Sequence, residues 1–585
     1  MRRTKIVATI GPASEEPDVL SEVVAAGMDV ARLNFSHGRR ADLERRLQRL
    51  VAQRDADPEH PLGILVDTRG PEIRIGAFPG GCVHLATGRL FRLYPDGRDG
   101  DEDGVGVGYE HLLADVHPGQ IILLDDGNLT LRVQQVDAQV VTCVVEAGGE
   151  LLSGKKVNLP GVDLSLPPLQ PDDEADLALA AAYQADFVAV SFVRTAEDIL
   201  EARRVIEATG WRMGIIAKIE TRQGVTNAEE ILRVSDGLMV ARGDLGVELP
   251  AEEVPIVQKD LIRRCVEVGK PVITATQMLE SMVHHSRPTR AEASDVANAI
   301  FDGSDAVMLS AETAIGKYPV ETVRTMARIA VRAEQALPYR EQLARRATTS
   351  TSTVTDAIGY ATAVSAQNLG ASAIVSVTGS GHTACTLAKY RPGTPILGMT
   401  ADDTVVRRLT LVWGVRPLKL SGGAAVVEDT IAQAVQRAVE VGAVSAGDLV
   451  VITAGMPTGL PGTTNMLRVQ TVGDVVLRGR GVGTGSGSGR VIRVRDAQDA
   501  ARHFHAGDVL VAVRGTRELV PFMERAAAII TEEDGLASPA ASVGLSLGIP
   551  VMVGAEGAMH VLVDHEEVTI DSTRGLCYRG RARIS

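Results

Sequence analysis

The chain has 585 residues, with 60 basic and 74 acidic side chains and a formal net charge of −14. At ~150 residues per domain this length implies about four domains, and 45% hydrophobic with 23% charged residues is the balance of an ordinary globular protein. The acidic surplus argues against non-specific binding to nucleic acid or to an anionic membrane, so an anionic substrate has to be met by a local cluster of cations or metal ions.

The basic start Met1-Arg2-Arg3 is followed by an apolar run of only about six residues, too short for a signal-peptide core, and no stretch approaches the ~20 apolar residues that span a bilayer. Five cysteines (Cys82, Cys143, Cys265, Cys385 and Cys577) are scattered singly. That pattern fits reduced thiols better than a disulfide framework or a zinc site. The expected location is cytoplasmic, with no membrane or nucleic-acid partner.

Short apolar segments alternate with helical patterns. Eight of them read as strands: 5–10, 29–34, 63–68, 187–192, 214–220, 237–244, 271–277 and 305–313. Stretches such as 197–208 and 257–268 carry apolar residues at helical spacing between them. Near-continuous apolar strands separated by amphipathic helices indicate a parallel sheet covered on both faces. The expectation is an α/β protein with a (β/α)8 TIM barrel from residues 1–70 and 169–345. Residues 71–168 break the alternation with short β runs and read as an inserted domain; 346–475 form a separate α/β unit. Residues 476–489, including Gly-Val-Gly-Thr-Gly-Ser-Gly-Ser-Gly, read as a flexible linker, because no Gly-Lys-[Ser/Thr] follows to make a nucleotide loop. A compact terminal domain occupies 490–585.

Chemistry in such a barrel sits at the C-terminal ends of the strands. In chain order these ends offer Arg32, Asn34, Ser36 and His37; Asp67, Thr68, Arg69 and Arg74; Lys218 and Glu220; Arg242 and Asp244; Thr274 and Thr276; and Ser310 and Glu312. Only nine of the 60 basic side chains are lysines, which makes Lys218, inside the apolar run Gly-Ile-Ile-Ala-Lys-Ile-Glu, conspicuous. It suits either a structural ion pair with Glu220 or a cation beside a metal-bridged phosphate or enolate, since residues two apart on a strand share a face. Glu220 and Asp244 are the natural Mg²⁺ pair, with phosphate and water completing an octahedron. Asn34, Ser36, Asp67 and Thr68 offer hard oxygen donors with one carboxylate among them, which suits a monovalent cation or, equally, a hydrogen-bonded strand-end network. Thr289-Arg-Ala-Glu292 reads as a helix capping box.

Seven stretches together resemble the pyruvate kinase family. They are Lys-Ile-Val-Ala-Thr-Ile-Gly-Pro-Ala-Ser (5–14), Ala-Arg-Leu-Asn-Phe-Ser-His-Gly (31–38), Asp-Thr-Arg-Gly-Pro-Glu-Ile-Arg (67–74), Ala-Lys-Ile-Glu (217–220), Met-Val-Ala-Arg-Gly-Asp-Leu-Gly-Val-Glu (239–248), Ala-Thr-Gln-Met-Leu-Glu-Ser-Met (275–282) and Pro-Thr-Arg-Ala-Glu-Ala-Ser-Asp-Val-Ala-Asn-Ala (288–299). The resemblance implies phosphoryl transfer from phosphoenolpyruvate to ADP, giving pyruvate and ATP. It implies Mg²⁺ (or Mn²⁺) on Glu220 and Asp244, K⁺ on Asn34, Ser36, Asp67 and Thr68, and Glu72 as the acid typical of K⁺-dependent members. Lys218, Arg32 and Thr276 become the catalytic set, and Arg32, Arg74, Lys218, Gly243, Asp244 and Thr276 the substrate contacts. Asn34, His37, Arg74 and Lys155 fall on the nucleotide side, with Lys155 or its neighbour Lys156 as the lysine of a β-barrel lid domain formed by the insertion.

By the same resemblance, 346–475 is a regulatory domain in which Thr378, Ser380, Gly381, His382 and Thr383 bind a phosphorylated small-molecule effector, and the chain forms a homotetramer. An ordinary strand–helix turn is the alternative for that loop. A second loop, 454–465, lacks the arginine used by fructose-bisphosphate-activated members, which favours a nucleotide or sugar monophosphate. The terminal domain resembles the swivelling phosphohistidine domain of phosphoenolpyruvate-utilising enzymes, but Pro539 stands where the histidine would be, and His503 and His505 fall off the motif. Two other readings compete: a metal-dependent lyase acting on pyruvate enolates, which needs no lid, and an inactive paralogue, which would be expected to have lost Lys218, Glu220, Asp244 or Thr276.

Overall fold

A computed structural model of the chain describes residues 2–36, 38–346, 353–422, 427–455, 464–473 and 475–582. Contacts divide it into two bodies, one made of residues 1–349, 380–391 and 402–419 and the other of 350–379, 392–401 and 420–585.

The first body is built on eight strands, Lys5–Thr9 (β1), Val30–Asn34 (β2), Gly63–Asp67 (β3), Phe187–Val190 (β4), Gly214–Ile219 (β5), Gly237–Ala241 (β6), Val272–Ala275 (β7) and Ala306–Leu309 (β8). They close in sequence order, with β1 parallel to both β2 and β8. Every residue of β1, β3, β4, β5 and β6 is buried. That is why the strands read as unbroken apolar runs instead of alternating ones. Two strands stop earlier than their sequence suggests. Helix Arg242–Glu248 follows β6 and helix Ala311–Ala314 closely follows β8. The polar residues there cannot continue a wall buried on both faces, and an acid in the first turn (Asp244, Glu312) is favoured by the helix dipole. The capping box is present: Thr289 accepts from Glu292 N, and the Glu292 carboxylate accepts from Thr289 N, at the head of helix Arg290–Asp302.

The insertion between β3 and β4 carries a seven-stranded sheet whose edges are joined by a bridge between Ile75 and Val107. Its strands alternate in burial, as in Leu90–Tyr94, where Phe91 and Leu93 enter the lid core. Residues 380–391 and 402–419, drawn from the stretch read as a regulatory domain, belong with the barrel. The Arg391 guanidinium forks the buried Asp305 carboxylate with two bonds of 2.9 Å, and Arg407 Nε donates to Asp186 at 2.6 Å. These charges are paired and desolvated, so removing one partner strands the other.

The second body holds a sheet in the order Ile396–Thr400, Ala373–Val377, Leu449–Gly455, Thr464–Thr471, and an eight-stranded terminal sheet. The glycine run read as a linker is part of the latter: Arg480–Val482 and Ser486–Val494 are strands. Three of its five glycines serve close packing. A Cβ on Gly481 would lie 1.6 Å from Ser572 O, one on Gly487 2.0 Å from Ala527 O, and one on Gly489 2.5 Å from Gly507 O. Composition alone cannot separate a flexible glycine from one that admits a neighbouring backbone.

Candidate active site

β5 carries Lys218, and Glu220 follows it directly; both side chains turn into the barrel mouth. The Lys218 Nζ lies 3.0 Å from Glu220 Oε1 and 3.3 Å from Asp67, and it donates to Ser191 Oγ at 2.8 Å. Glu220 is 1% and Lys218 9% exposed. Burial opposes the charge on Lys218, but Glu220 and Asp67 hold its pKa above the ordinary lysine value. Burial pushes Glu220 up to about 7 against the pull of Lys218. Lys218 is therefore a fixed cation, suited to stabilising negative charge and not to taking a proton.

β2 and β3 supply the next layer. Arg32 Nε and Nη2 fork the Asp67 carboxylate at 3.0 and 2.6 Å, and its Nη1 donates to Thr9 Oγ1 at 2.8 Å. Asn34 Oδ1 accepts from Ser36 N at 3.0 Å, and Thr68 Oγ1 accepts from Ser191 N at 3.0 Å. After β7 the backbone enters the left-handed region at Thr276 (φ +68°) and Gln277 (φ +53°). For a β-branched threonine this is a strained conformation, of the kind that collects at functional sites. The Thr276 hydroxyl donates to Ala275 O at 2.6 Å and accepts from Gly243 N at 2.8 Å, so Gly243 and Thr276 are locked together beside Asp244.

The lid completes the arrangement. Lys156 Nζ lies 2.6 Å from Asp244 Oδ1, and 3.7 Å from Glu72. Lys155 instead pairs with Asp125 at 2.6 Å, while Arg74 binds Glu72 (2.6 Å) and Gly154 O (3.0 Å). Burial acts to raise Asp244, but Lys156 and Lys218 hold it below the usual carboxylate range. A cavity of about 380 Å³ runs between barrel and lid, lined among others by Arg32, Lys155, Lys156, Lys218, Glu220 and Asp244. Asn34, Ser36, Arg74 and Thr276 also reach it. The structure thus gathers most of the expected residues at one mouth.

Several polar strand ends serve the frame instead. Arg242 binds Asp295 and the carbonyls of Ala275 and Thr276; Glu312, fully buried, accepts from Leu279 N and Ser310 N; and Thr274 Oγ1 lies 2.7 Å from Ser304 Oγ. Arg69 lines the cavity but donates to Asp176 at 2.8 Å. His37 and residues 456–463 of the 454–465 loop lie outside the described residues. Thr378 follows strand Ala373–Val377 of the second body, whereas Ser380–Thr383, leading into helix His382–Lys389, belongs to the first; Gly381 there has φ +84°. His503 and His505 are exposed. In the terminal domain Pro539 is the first residue of helix Pro539–Leu547, capped by Ser538.

Two site residues escaped the sequence reading, Ser191 and Phe192, just beyond β4. Phe192 N donates to Glu220 Oε2 at 2.6 Å, with φ +54°, and its ring lies 4.7 Å from Lys156 Nζ. Reading the end of the fourth strand as the others were read would have found them.

The site chemistry accommodates a divalent cation. Glu220 Oε1 is buried with only the Lys218 ammonium, 3.0 Å away, against it, and Glu220 and Asp244 are balanced by two lysines standing where a metal's charge would otherwise be needed. The monovalent set also fits chemically, since Asp67 Oδ1 keeps a lone pair after meeting Arg32 Nε, while Oδ2 faces both Arg32 and Lys218.

Three family profiles match the sequence: "Pyruvate kinase, barrel domain" over residues 1–323, "Pyruvate kinase, alpha/beta domain" over 356–470, and "PEP-utilising enzyme, mobile domain" over 504–575. The chain is 49% identical over 590 residues to the pyruvate kinase of Bacillus licheniformis, with all of each chain covered. It is 49% identical over 589 residues to that of Geobacillus stearothermophilus, again with both chains fully covered. A crystal structure of a pyruvate kinase from Cryptosporidium parvum superposes with a TM-score of 0.77 at 36% identity, covering 80% of this chain and 96% of that one.

Proposed function

The chain belongs to the pyruvate kinase family, and from that premise we propose which of its residues carry the transfer of the phosphoryl group of phosphoenolpyruvate to ADP. The observation that supports the assignment best is the buried Lys218 held against Glu220 at a cavity that Asp244, Arg32 and the lid's Lys156 also line. Phosphoryl transfer asks a protein chiefly for positioning and charge neutralisation. Lys218 lies against the transferring group and the developing enolate oxygen, where its permanent charge has most effect. Arg32 and Arg74 hold phosphate oxygens, and Thr276, braced by Gly243, stands near the path of the proton that converts enolate to pyruvate.

Family membership brings metal dependence. In this reading Glu220 and Asp244 hold Mg²⁺ (or Mn²⁺), and Asn34, Ser36, Asp67 and Thr68 hold K⁺. The bound cations supply neutralisation of phosphate and enolate charge. Asn34, His37, Arg74 and a lid lysine face the nucleotide. Contact with Asp244 favours Lys156 over Lys155 for that lysine. The lid excludes water that would hydrolyse the donor.

Regulation by a phosphorylated small molecule at Thr378 and 380–383, a homotetramer and a cytoplasmic location complete the proposal. No described helix is long and apolar enough to cross a membrane. With Pro539 in place of a nucleophile, the terminal domain takes a structural or assembly role instead of relaying phosphate.

A coupled assay for pyruvate tests the assignment. Activity is expected to vanish on chelating the divalent metal and to fall when K⁺ is replaced by a large organic cation; activity indifferent to K⁺ would remove only the monovalent site. Lys156→Met is expected to lower kcat by at least about 10²-fold, the scale of losing one preorganised charged donor, while Lys155→Met changes it by less than about fivefold, since Lys155 is half-buried and paired with Asp125 at the cavity edge and not with Asp244. The reverse ranking assigns the role to Lys155.

A further inference from the structure

The residues that follow β4 lie between the barrel's reacting groups and the lid, and each makes a different connection. Ser191 Oγ spends its single proton on Thr68 O at 2.8 Å. It can therefore only accept from Lys218, and its orientation fixes where the ammonium sits. Phe192, held in the left-handed region, gives its N–H to Glu220 and its ring face to Lys156 of the lid. Two residues on, Arg194 turns away from the cavity. Its Nη1 donates to Leu164 O at 2.8 Å and its Nη2 to Leu166 O at 2.7 Å, on the segment that returns the chain from the lid. Leu164 and Leu166 themselves pack against the lid core. The Arg194 backbone is nailed to the barrel: its N donates to Asp198 Oδ2 at 2.8 Å, and its O accepts from Asn227 Nδ2 at 2.8 Å.

The returning segment is not held there by close packing. A second cavity, of about 270 Å³, lies between the lid connections and this loop, bordered by Ile73, Leu159, Val162, Leu164, Phe192 and Glu248. Across that gap the charged hydrogen bonds of Arg194 tie the segment to the barrel, beside the bond from Gly161 N to the Glu248 carboxylate.

We propose that loop 191–194 matches lid position to catalysis, with Arg194 as the positioning residue. With its backbone fixed to the barrel, Arg194 sets where 164–166, and with them the lid and its Lys156, stand relative to Phe192, Glu220 and Lys218. This rests on the catalytic assignment above. Arg194 touches neither substrate nor metal ligands; it acts through the loop, and a misplacement of the order of 1 Å at a reacting group costs about 10²-fold in rate.

The test is a kinetic double-mutant cycle on the full-length enzyme. Arg194→Met is expected to lower kcat by about 10- to 100-fold with phosphoenolpyruvate affinity, measured without ADP, changed less than about twofold. Arg194→Lys, which keeps a charged donor, recovers part of the loss. Ser191→Ala lowers kcat in the native background but has little further effect in Arg194→Met, because both break one linkage. Multiplicative losses, or variants with native kcat, overturn the proposal. If Arg194→Met does not fold, the same cycle run with Arg194→Lys decides. A native enzyme that makes no pyruvate overturns the catalytic assignment and this inference with it; an active native enzyme with unaffected variants overturns this inference alone.

Discussion

Lys218→Met is expected to lower kcat by about 10³-fold, the upper end of what one preorganised donor contributes, while the KM for phosphoenolpyruvate changes less than about threefold. The asymmetry follows from where charge develops. Bound substrate already has its phosphate neutralised by other cations, so the ammonium's interaction grows mainly as the enolate oxygen gains charge, and an interaction stronger in the transition state appears in kcat. Among the described residues no other lysine stands against both Glu220 and Asp67. Arg32 is committed to Asp67 and Thr9, and Lys156 to Asp244. Steady-state kinetics with phosphoenolpyruvate and ADP varied separately provide the measurement. A rise in KM with native kcat would assign Lys218 to ground-state binding and contradict its role.

Glu220→Gln is the second large effect. The amide keeps the size of the carboxylate and can still accept from Phe192 N, so the local backbone is retained. What it loses is the charge on Oε1, the oxygen that faces only the Lys218 ammonium and is the atom best placed for a metal. Loss of a residue one layer behind a metal already costs about 10- to 100-fold in affinity. The half-saturating concentration of Mn²⁺, followed by its electron paramagnetic resonance signal, is accordingly expected to rise by at least about 100-fold. Lys218 remains neutralised by Asp67 at 3.3 Å, so the fold survives the change. Mn²⁺ binding with native affinity in this variant would place the metal elsewhere.

The barrel was legible because its strands are buried on both faces. That burial writes itself into the sequence as apolar runs, and several of the polar residues that end them, such as Asn34, Lys218, Glu220 and Thr276, reach the cavity. The same rule extended two strands too far: Arg242, Asp244 and Glu312 lie just past the apolar wall, on short helices whose start no periodicity marks. The glycine run at 481–489 was misread because glycine means freedom in a chain exposed to water and contact where Ser572 O or Ala527 O comes close. Local spacing also could not rank Lys155 against Lys156. The distinction depends on Asp244, which is 88 residues away from Lys156. Arg194 is hidden for the same reason, since its partners are the carbonyls of Leu164 and Leu166, which no side-chain pattern records.

The central claim is that the groups around Lys218 and Glu220 move phosphoryl from phosphoenolpyruvate to ADP without losing it to water. Phosphorus-31 NMR of the enzyme with Mg²⁺, K⁺, phosphoenolpyruvate and ADP measures that directly. The expected result is loss of the phosphoenolpyruvate signal matched one for one by growth of the ATP γ-phosphate, with no inorganic phosphate, and none of this in Lys218→Met on the same timescale. Release of inorganic phosphate without ADP, or native turnover by Lys218→Met, would contradict it.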